Sequence, residues 1–229
     1  MWKGKKKAVT FSFDDGVTQD FRLVEMLNKY RLKGTFNINS ACLGLPGALP
    51  MGDVKVSHNK IKASEVKGLY EGHEIAVHSL THPSLVGLDD ETIIRQVDED
   101  RIALEKLCGY SIVGMAYPNG VYDAHVADVI EKNTPIKYSR TVTSTHSFAV
   151  QKENLLCYDP TVYYVEPCLE ELVDKFLASE SDEDQLLYIW GHSYEMDANL
   201  ISWEKFEEIC QKLSGRDDIF YGTNKEVLL

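Results

Sequence analysis

Two kinds of segment alternate along this chain, and the alternation limits the fold more than any other feature. AVTFSF (8–13) is apolar and β-rich, and DFRLVEMLNKY (20–30) carries Phe21, Leu23, Val24, Met26, Leu27 and Tyr30 at helical spacing. The pattern continues with strands expected at 34–39, 74–78, 111–118, 135–142, 185–192 and 218–222. Helices are expected at 62–72, 88–109, 122–132, 168–178 and 202–215, with a final helical turn at 223–228. Asp89 or Asp90 can cap the helix at 88–109, and Gly109 can end it. The stretch with Gly44, Pro46, Gly47, Pro50 and Gly52 reads as a loop, and 143–165 shows no period and reads as an irregular excursion. Strands alternating with helices predict parallel βαβ units. Seven such units fit a closed or nearly closed barrel. An open doubly wound sheet is the structural alternative, but neither GxGxxG nor GxxxxGK[ST] occurs to support it.

At 229 residues the chain is expected to form one α/β domain spanning 1–229. The net charge of −12 argues against nucleic acid or an anionic membrane as the main partner. No apolar run approaches the roughly 18 residues of a membrane span. The amino-terminal lysines are followed within a dozen positions by polar and acidic residues, so the pattern lacks the apolar region of a secretory signal. The expected compartment is therefore cytoplasmic, with secretion after removal of a leader as the alternative. The five cysteines, Cys42, Cys108, Cys157, Cys168 and Cys210, are scattered and form no CxxC. They read as reduced, mostly buried thiols rather than a disulfide frame or a thiolate metal site.

The polar residues at the strand ends carry the chemistry. Strand one ends in Asp14 and Asp15, strand three in His78 with His82 four residues on, strand four in Tyr117, Pro118 and Asn119, strand five near Arg140, and strand six in His192. In a parallel barrel all carboxyl ends open on one face, so these residues are expected to converge. Two histidines and a carboxylate suit a catalytic zinc set with a position left open. The adjacent aspartates then divide the work: one binds the metal, the other stays free as a general base, and the cation relieves their repulsion. Each motif alone has a plainer reading, HxxxH as two loop histidines and DDG as a turn after a strand. His192, two residues after Trp190, suits a general acid. His58, His125 and His146 carry no matching pattern, and His73, at the wrong end of its strand, reads as structural.

FSFDDG, HSLTH, AYPNG and YIWGH, in this order between residue 8 and about 195, resemble the NodB-homology polysaccharide deacetylases, carbohydrate esterase family 4. The resemblance implies a distorted (β/α)7-type barrel with one divalent ion, zinc first, with cobalt, nickel or manganese as alternatives. It implies hydrolytic removal of acetyl from an amino sugar or an acetylated polysaccharide, with carbohydrate as the partner. By position, Asp14 is the implied base, Asp15, His78 and His82 the metal ligands, and His192 the acid. The Asn119 N–H is the implied oxyanion donor, and Tyr117, Arg140 and Trp190 are expected nearby on the substrate side. Two features depart from the family pattern. Ala116 stands where the family carries an arginine that pairs with the base, and Asn119 replaces an aromatic residue. Arg140, on the next strand, is expected to supply the missing charge. The acid that orients His192 is unassigned among Asp159, Glu195 and Asp197. Two alternatives to a carbohydrate deacetylase follow: hydrolysis of a small non-peptide amide, and a weakly active carbohydrate-binding relative.

Overall fold

Apolar strands and amphipathic helices assemble as the alternation predicts. The computed structural model describes residues 2–229. β1 (Lys7–Asp14) is followed by α1 (Asp20–Lys29) and β2 (Gly34–Ile38). β1 is buried from Ala8 to Asp14 and β2 along its whole length, as strands covered on both faces must be. α1 turns Leu23, Val24, Met26 and Leu27 inward. A hairpin follows, β3 (Ala48–Met51) and β4 (Val54–Ser57), turning through Gly52 at φ 61°. Next come α2 (Ala63–Leu69), β5 (Glu74–Val77), α3 (Asp90–Cys108), β6 (Gly114–Ala116), α4 (Ala124–Asn133) and β7 (Tyr138–Arg140). The chain then makes β8 (Val162–Tyr163), α5 (Leu169–Ala178), β9 (Gln185–Gly191), α6 (Tyr194–Asp197), α7 (Trp203–Leu213), β10 (Ile219–Tyr221) and α8 (Asn224–Leu228). α3 is fixed at both ends: the Asp89 carboxylate accepts from the Thr92 N–H at 2.8 Å, and Gly109 closes it at φ 86°. Such an N-cap contributes about 1 kcal/mol.

The strands form one parallel sheet in the order β7-β6-β5-β2-β1-β9-β8. The sheet curls until its edges meet. Tyr158, just before β8, bridges back to Arg140 of β7, donating its N–H to Ser139 O and accepting from the Thr141 N–H, both at 2.9 Å. The result is a distorted barrel with a thin seam between β7 and β8. β10 lies outside this ring, pairing with Lys7–Val9 at the amino end of β1, below the level where β2 begins to pair.

Three expectations are corrected. The strand at 218–222 forms but is not the seventh ring strand; that place is taken by β8, inside the stretch read as irregular. The presumed loop around Gly52 holds the β3–β4 hairpin. The strands expected at 111–118 and 135–142 shorten to three residues each, because only Gly114–Ala116 and Tyr138–Arg140 have pairing neighbours.

The aromatic core reaches up to the carboxyl face. Phe13 packs on Phe36, Tyr164 and Phe206. Gly191 has no side chain because the Tyr164 ring stands there: a Cβ would lie 1.6 Å from Tyr164 Cε1. That approach lets the Tyr164 hydroxyl donate to the His192 carbonyl at 2.5 Å. Core packing thus fixes the backbone of a candidate catalytic residue.

Candidate active site

Asp14 closes β1, and its carboxylate is gripped from two neighbouring strands. Asn37 of β2 donates to Oδ1 at 2.8 Å, and the Arg140 guanidinium of β7 donates to Oδ2. The Arg140 side chain is fully buried and its guanidinium lies 4.3 Å from the Trp190 ring centre. Burial would raise the Asp14 carboxyl, but the Arg140 guanidinium, with the His78 and His192 rings beside it, outweighs burial and holds the group below its ordinary value.

Asp15 has its own cation. Lys60 Nζ lies 3.1 Å from its Oδ1 and donates to its carbonyl at 2.7 Å, and His58 Nε2 lies 3.3 Å from Oδ2. Against burial, the His58 contact and the Lys60 charge hold this carboxyl well below its ordinary value. The two adjacent acids are therefore relieved separately, Asp14 by Arg140 and Asp15 by Lys60. These protein cations add to the relief expected from a bound metal ion. The contact with Asp15 corrects the reading of His58 as a histidine without a role at this end of the barrel.

His78 leaves β5 and His82 follows the turn. Asp100 of α3 accepts from the His78 N–H at 3.1 Å and from the Ser40 N–H at 2.7 Å, fixing the turn. His78 Nδ1–H donates to Ala116 O at 2.9 Å, which leaves Nε2 as a lone pair aimed at His82 Nε2, 3.2 Å away. His82 Nε2 is 3.6 Å from Asp15 Oδ1. Burial pushes His78 down to about 4 and His82 below its ordinary value, so both rings are neutral at neutral pH, the form that ligates a metal.

The donor set fits a divalent ion. Donor atoms of Asp15, His78 and His82 all lie within 4.8 Å of one another. A tetrahedral zinc with N and O bonds of about 2.0–2.1 Å separates neighbouring ligand atoms by ~3.4 Å. The two observed separations, 3.2 and 3.6 Å, bracket that figure.

His192 follows β9 and faces the same centre, with Nε2 3.8 Å from Asp14 Oδ2. Among the three acids considered for its other nitrogen, Glu195 is the neighbour: its Oε1 is 3.1 Å from Nδ1, although off-line for a hydrogen bond, and its Oε2 accepts from the His192 N–H at 3.0 Å. Asp159 accepts from Thr141, and Asp197 from Gln19 and Trp203. Burial would lower His192, but Glu195, with Asp14 and Asp15, pushes it up to about 9. Tyr163 donates its hydroxyl to Glu195 and stacks on Trp190 at 4.4 Å.

The cavity between these groups has a volume of about 360 Å³ and is lined by Asp14, Asp15, His78, His82, Asn119 and His192 together with Tyr117, Trp190 and Tyr194. A larger cavity of about 670 Å³ lies elsewhere, lined by Lys5–Lys7, Ser179–Asp182 and Asp218, and holds none of these groups. Backbone strain concentrates here as well. Asp15 (φ 82°), Ser79 (φ 62°), His82 (φ 62°) and Asn119 (φ 58°) all sit in the left-handed region. Such positions cost on the order of 1–3 kcal/mol each and persist where the surroundings over-determine them. The expected substrate residues divide. Asn119 and Trp190 line the cavity, although Trp190 is sandwiched between Arg140 and Tyr163. Tyr117 offers only its ring, because its hydroxyl donates to Leu156 O at 2.8 Å. Arg140 is a partner of Asp14 and is not part of the lining.

Comparison with known proteins is consistent with this geometry. In solved structures, the chain matches a putative polysaccharide deacetylase from Mycobacterium smegmatis at 18% identity and TM-score 0.70, covering 98% of this chain and 90% of that one. It matches a Streptococcus pyogenes deacetylase in complex with acetate at 20% identity and TM-score 0.56, covering 68% of this chain and 64% of that one. It also matches a CE4 family pseudoenzyme from Bacillus anthracis at 15% identity and TM-score 0.56, covering 98% of this chain and 66% of that one. The chain thus spans about two thirds of the length of the last two. At these identities the likeness is one of fold, and a fold shared with a pseudoenzyme leaves catalysis to be argued from side chains. The sequence pattern of the family described as polysaccharide deacetylase matches residues 2–135, a stretch that contains Asp14, Asp15, His78, His82 and Asn119. That match covers more than half of the sequence, and the chain belongs to the polysaccharide deacetylase family.

Proposed function

We propose that this protein removes acetyl groups from an N-acetylated amino sugar or acetylated polysaccharide by metal-dependent hydrolysis, releasing acetate. The observation that carries the reading is the setting of Asp14. Its Oδ2 is held by Arg140 and lies 3.9 Å from His78 Nε2 and 3.8 Å from His192 Nε2. A carboxylate kept ionised thus stands between a metal-type donor set and an imidazole kept protonated. Opposite shifts of this kind mark a base and an acid.

Asp15, His78 and His82 are the residues that would hold the ion, and a two-imidazole, one-carboxylate set suits zinc, with cobalt, nickel or manganese as substitutes. When bound, a divalent ion polarises the acetyl carbonyl and makes water more acidic. Asp14 accepts the proton of the attacking water, and Arg140 and Asn37 keep its oxygens aimed. The Asn119 N–H is the assigned donor to the developing oxyanion, an interaction worth roughly 3 kcal/mol of barrier. His192 protonates the departing nitrogen or oxygen, with Glu195 stabilising its charge. The cavity of about 360 Å³ is at the small end of ligand sites, the scale of one sugar ring with its acetyl group. Hydrolysis of a small amide drew support from the missing family arginine. Arg140 beside Asp14 weakens that support, because it supplies the charge.

Metal-stripped protein is expected to release no acetate from N-acetylglucosamine oligomers or acetylated xylan, and zinc or cobalt is expected to restore release. His78→Ala should resist restoration. Release indifferent to stripping, or none from any sugar by loaded protein, would contradict the proposal.

A further inference from the structure

A second set of metal-type donors lies apart from Asp15, His78 and His82. His146 Nε2 is 2.6 Å from Glu166 Oε2, and Cys168 Sγ is 3.7 Å from His146 Nε2 and 3.8 Å from Glu166 Oε2. Among the described residues, these are the only other three side chains of His, Cys, Asp or Glu whose donor atoms lie within 4.8 Å of one another. The plain explanation is an ion pair beside a thiol. Several features go beyond it. The other Glu166 oxygen accepts from the Ser144 hydroxyl and from the Tyr163 N–H at 3.0 Å, so the carboxylate is oriented and presents Oε2 to the other two donors. His146 sits in the left-handed region at φ 51°, and its N–H is fixed to Thr161 O at 2.9 Å.

We infer that His146, Glu166 and Cys168 form a binding site for a borderline-soft divalent cation of the zinc class, with the remaining position open to solvent. Tetrahedral zinc, with a bond of about 2.3 Å to sulfur and about 2.0–2.1 Å to nitrogen or oxygen, sets S···N and S···O separations of ~3.6 Å. The observed 3.7 and 3.8 Å lie close to that. The His146–Glu166 contact must open by a little under ~1 Å, because those bond lengths set N···O at ~3.4 Å. His146 is about half exposed and free to yield. Binding releases the thiol proton to water and leaves the sulfur as the softest ligand. The ion would fasten the excursion at 143–165 to the start of α5. Through Glu166 and the Tyr163 N–H it would also brace the thin seam at β8. Cysteine spacing could not signal this site, since its histidine and cysteine stand 22 residues apart.

The test is cobalt loading of the full chain under thiol-free reducing conditions. A thiolate-to-cobalt charge-transfer band in the near ultraviolet is expected, together with a second bound equivalent. Cys168→Ser and His146→Ala should each lose the band and that equivalent while keeping the other. His78→Ala should keep the band and lose the equivalent held with Asp15 and His82. Absence of a thiolate band in the unaltered protein, or a band that persists in Cys168→Ser, would overturn the inference. The readout is independent of acetate release, so it stands or falls separately from the proposed function.

Discussion

Arg140→Ala is expected to lose both stability and turnover while the bound metal stays. The guanidinium is fully buried against Asp14, so its removal leaves a buried carboxylate with only Asn37 as a close donor. Truncating one partner of such a pair typically costs about 3–5 kcal/mol. The stacking of Arg140 on Trp190 goes with it. Asp14 also loses the charge that holds its carboxyl down, so its pKa rises and less base is ionised at any acidic pH. Turnover should fall by roughly 10²–10⁴, the range that a positioned acid or base contributes. The acid limb of the kcat/KM profile should move to higher pH. Urea denaturation, metal content and a pH profile separate the three effects. Unchanged turnover would show that Arg140 does not support the base.

His192→Ala is expected to reduce turnover by a similar factor, about 10²–10⁴, through loss of the proton donor. The pH dependence gives a finer test. His192 is pushed up to about 9, so the protonated form is present below that pH and is lost as pH rises through it. Activity should therefore show an alkaline limb. A cation on Asp15, His78 and His82 draws that limb downward, and the comparison is made at equal loading. Glu195→Gln removes the charge beside Nδ1, 3.1 Å away, and so lowers the His192 pKa. The alkaline limb of the variant should lie at lower pH than that of the unaltered protein. Coincident limbs would show that His192 is not the titrating acid.

The long periodic elements were legible in the sequence because each carries its own signal. α3 has an apolar stripe, Asp89 at its start and Gly109 at its end. β1 and β9 are largely apolar runs buried at every position after the first. β8 was not legible, because two residues carry no period and its place is set by pairing with β9 and by the Tyr158 bridge to β7 just before it. The β3–β4 hairpin did have a signal: Gly52–Asp53 is a two-residue turn between paired runs, masked by Pro46 and Pro50. At the site, parallel topology made convergence of Asp14, Asp15, His78, His82, Asn119 and His192 readable from strand ends alone. The partners were not readable. Lys60 and His58 reach Asp15 from beyond the unrecognised hairpin, and Asn37 is a buried polar residue within an apolar strand. Glu195 was one acid among three until its 3.1 Å approach to His192 distinguished it.

If the two adjacent carboxylates do different work, one paired measurement separates their roles. Metal content and acetate release are measured together on Asp14→Asn and Asp15→Asn. Asp14→Asn should retain the metal and lose release, because the base is gone and Asp15, His78 and His82 are intact. Asp15→Asn should lose the metal, and release with it. If Asp14→Asn lost the metal, or kept both metal and release, Asp14 would not be the base and the division of work between the two carboxylates would be contradicted.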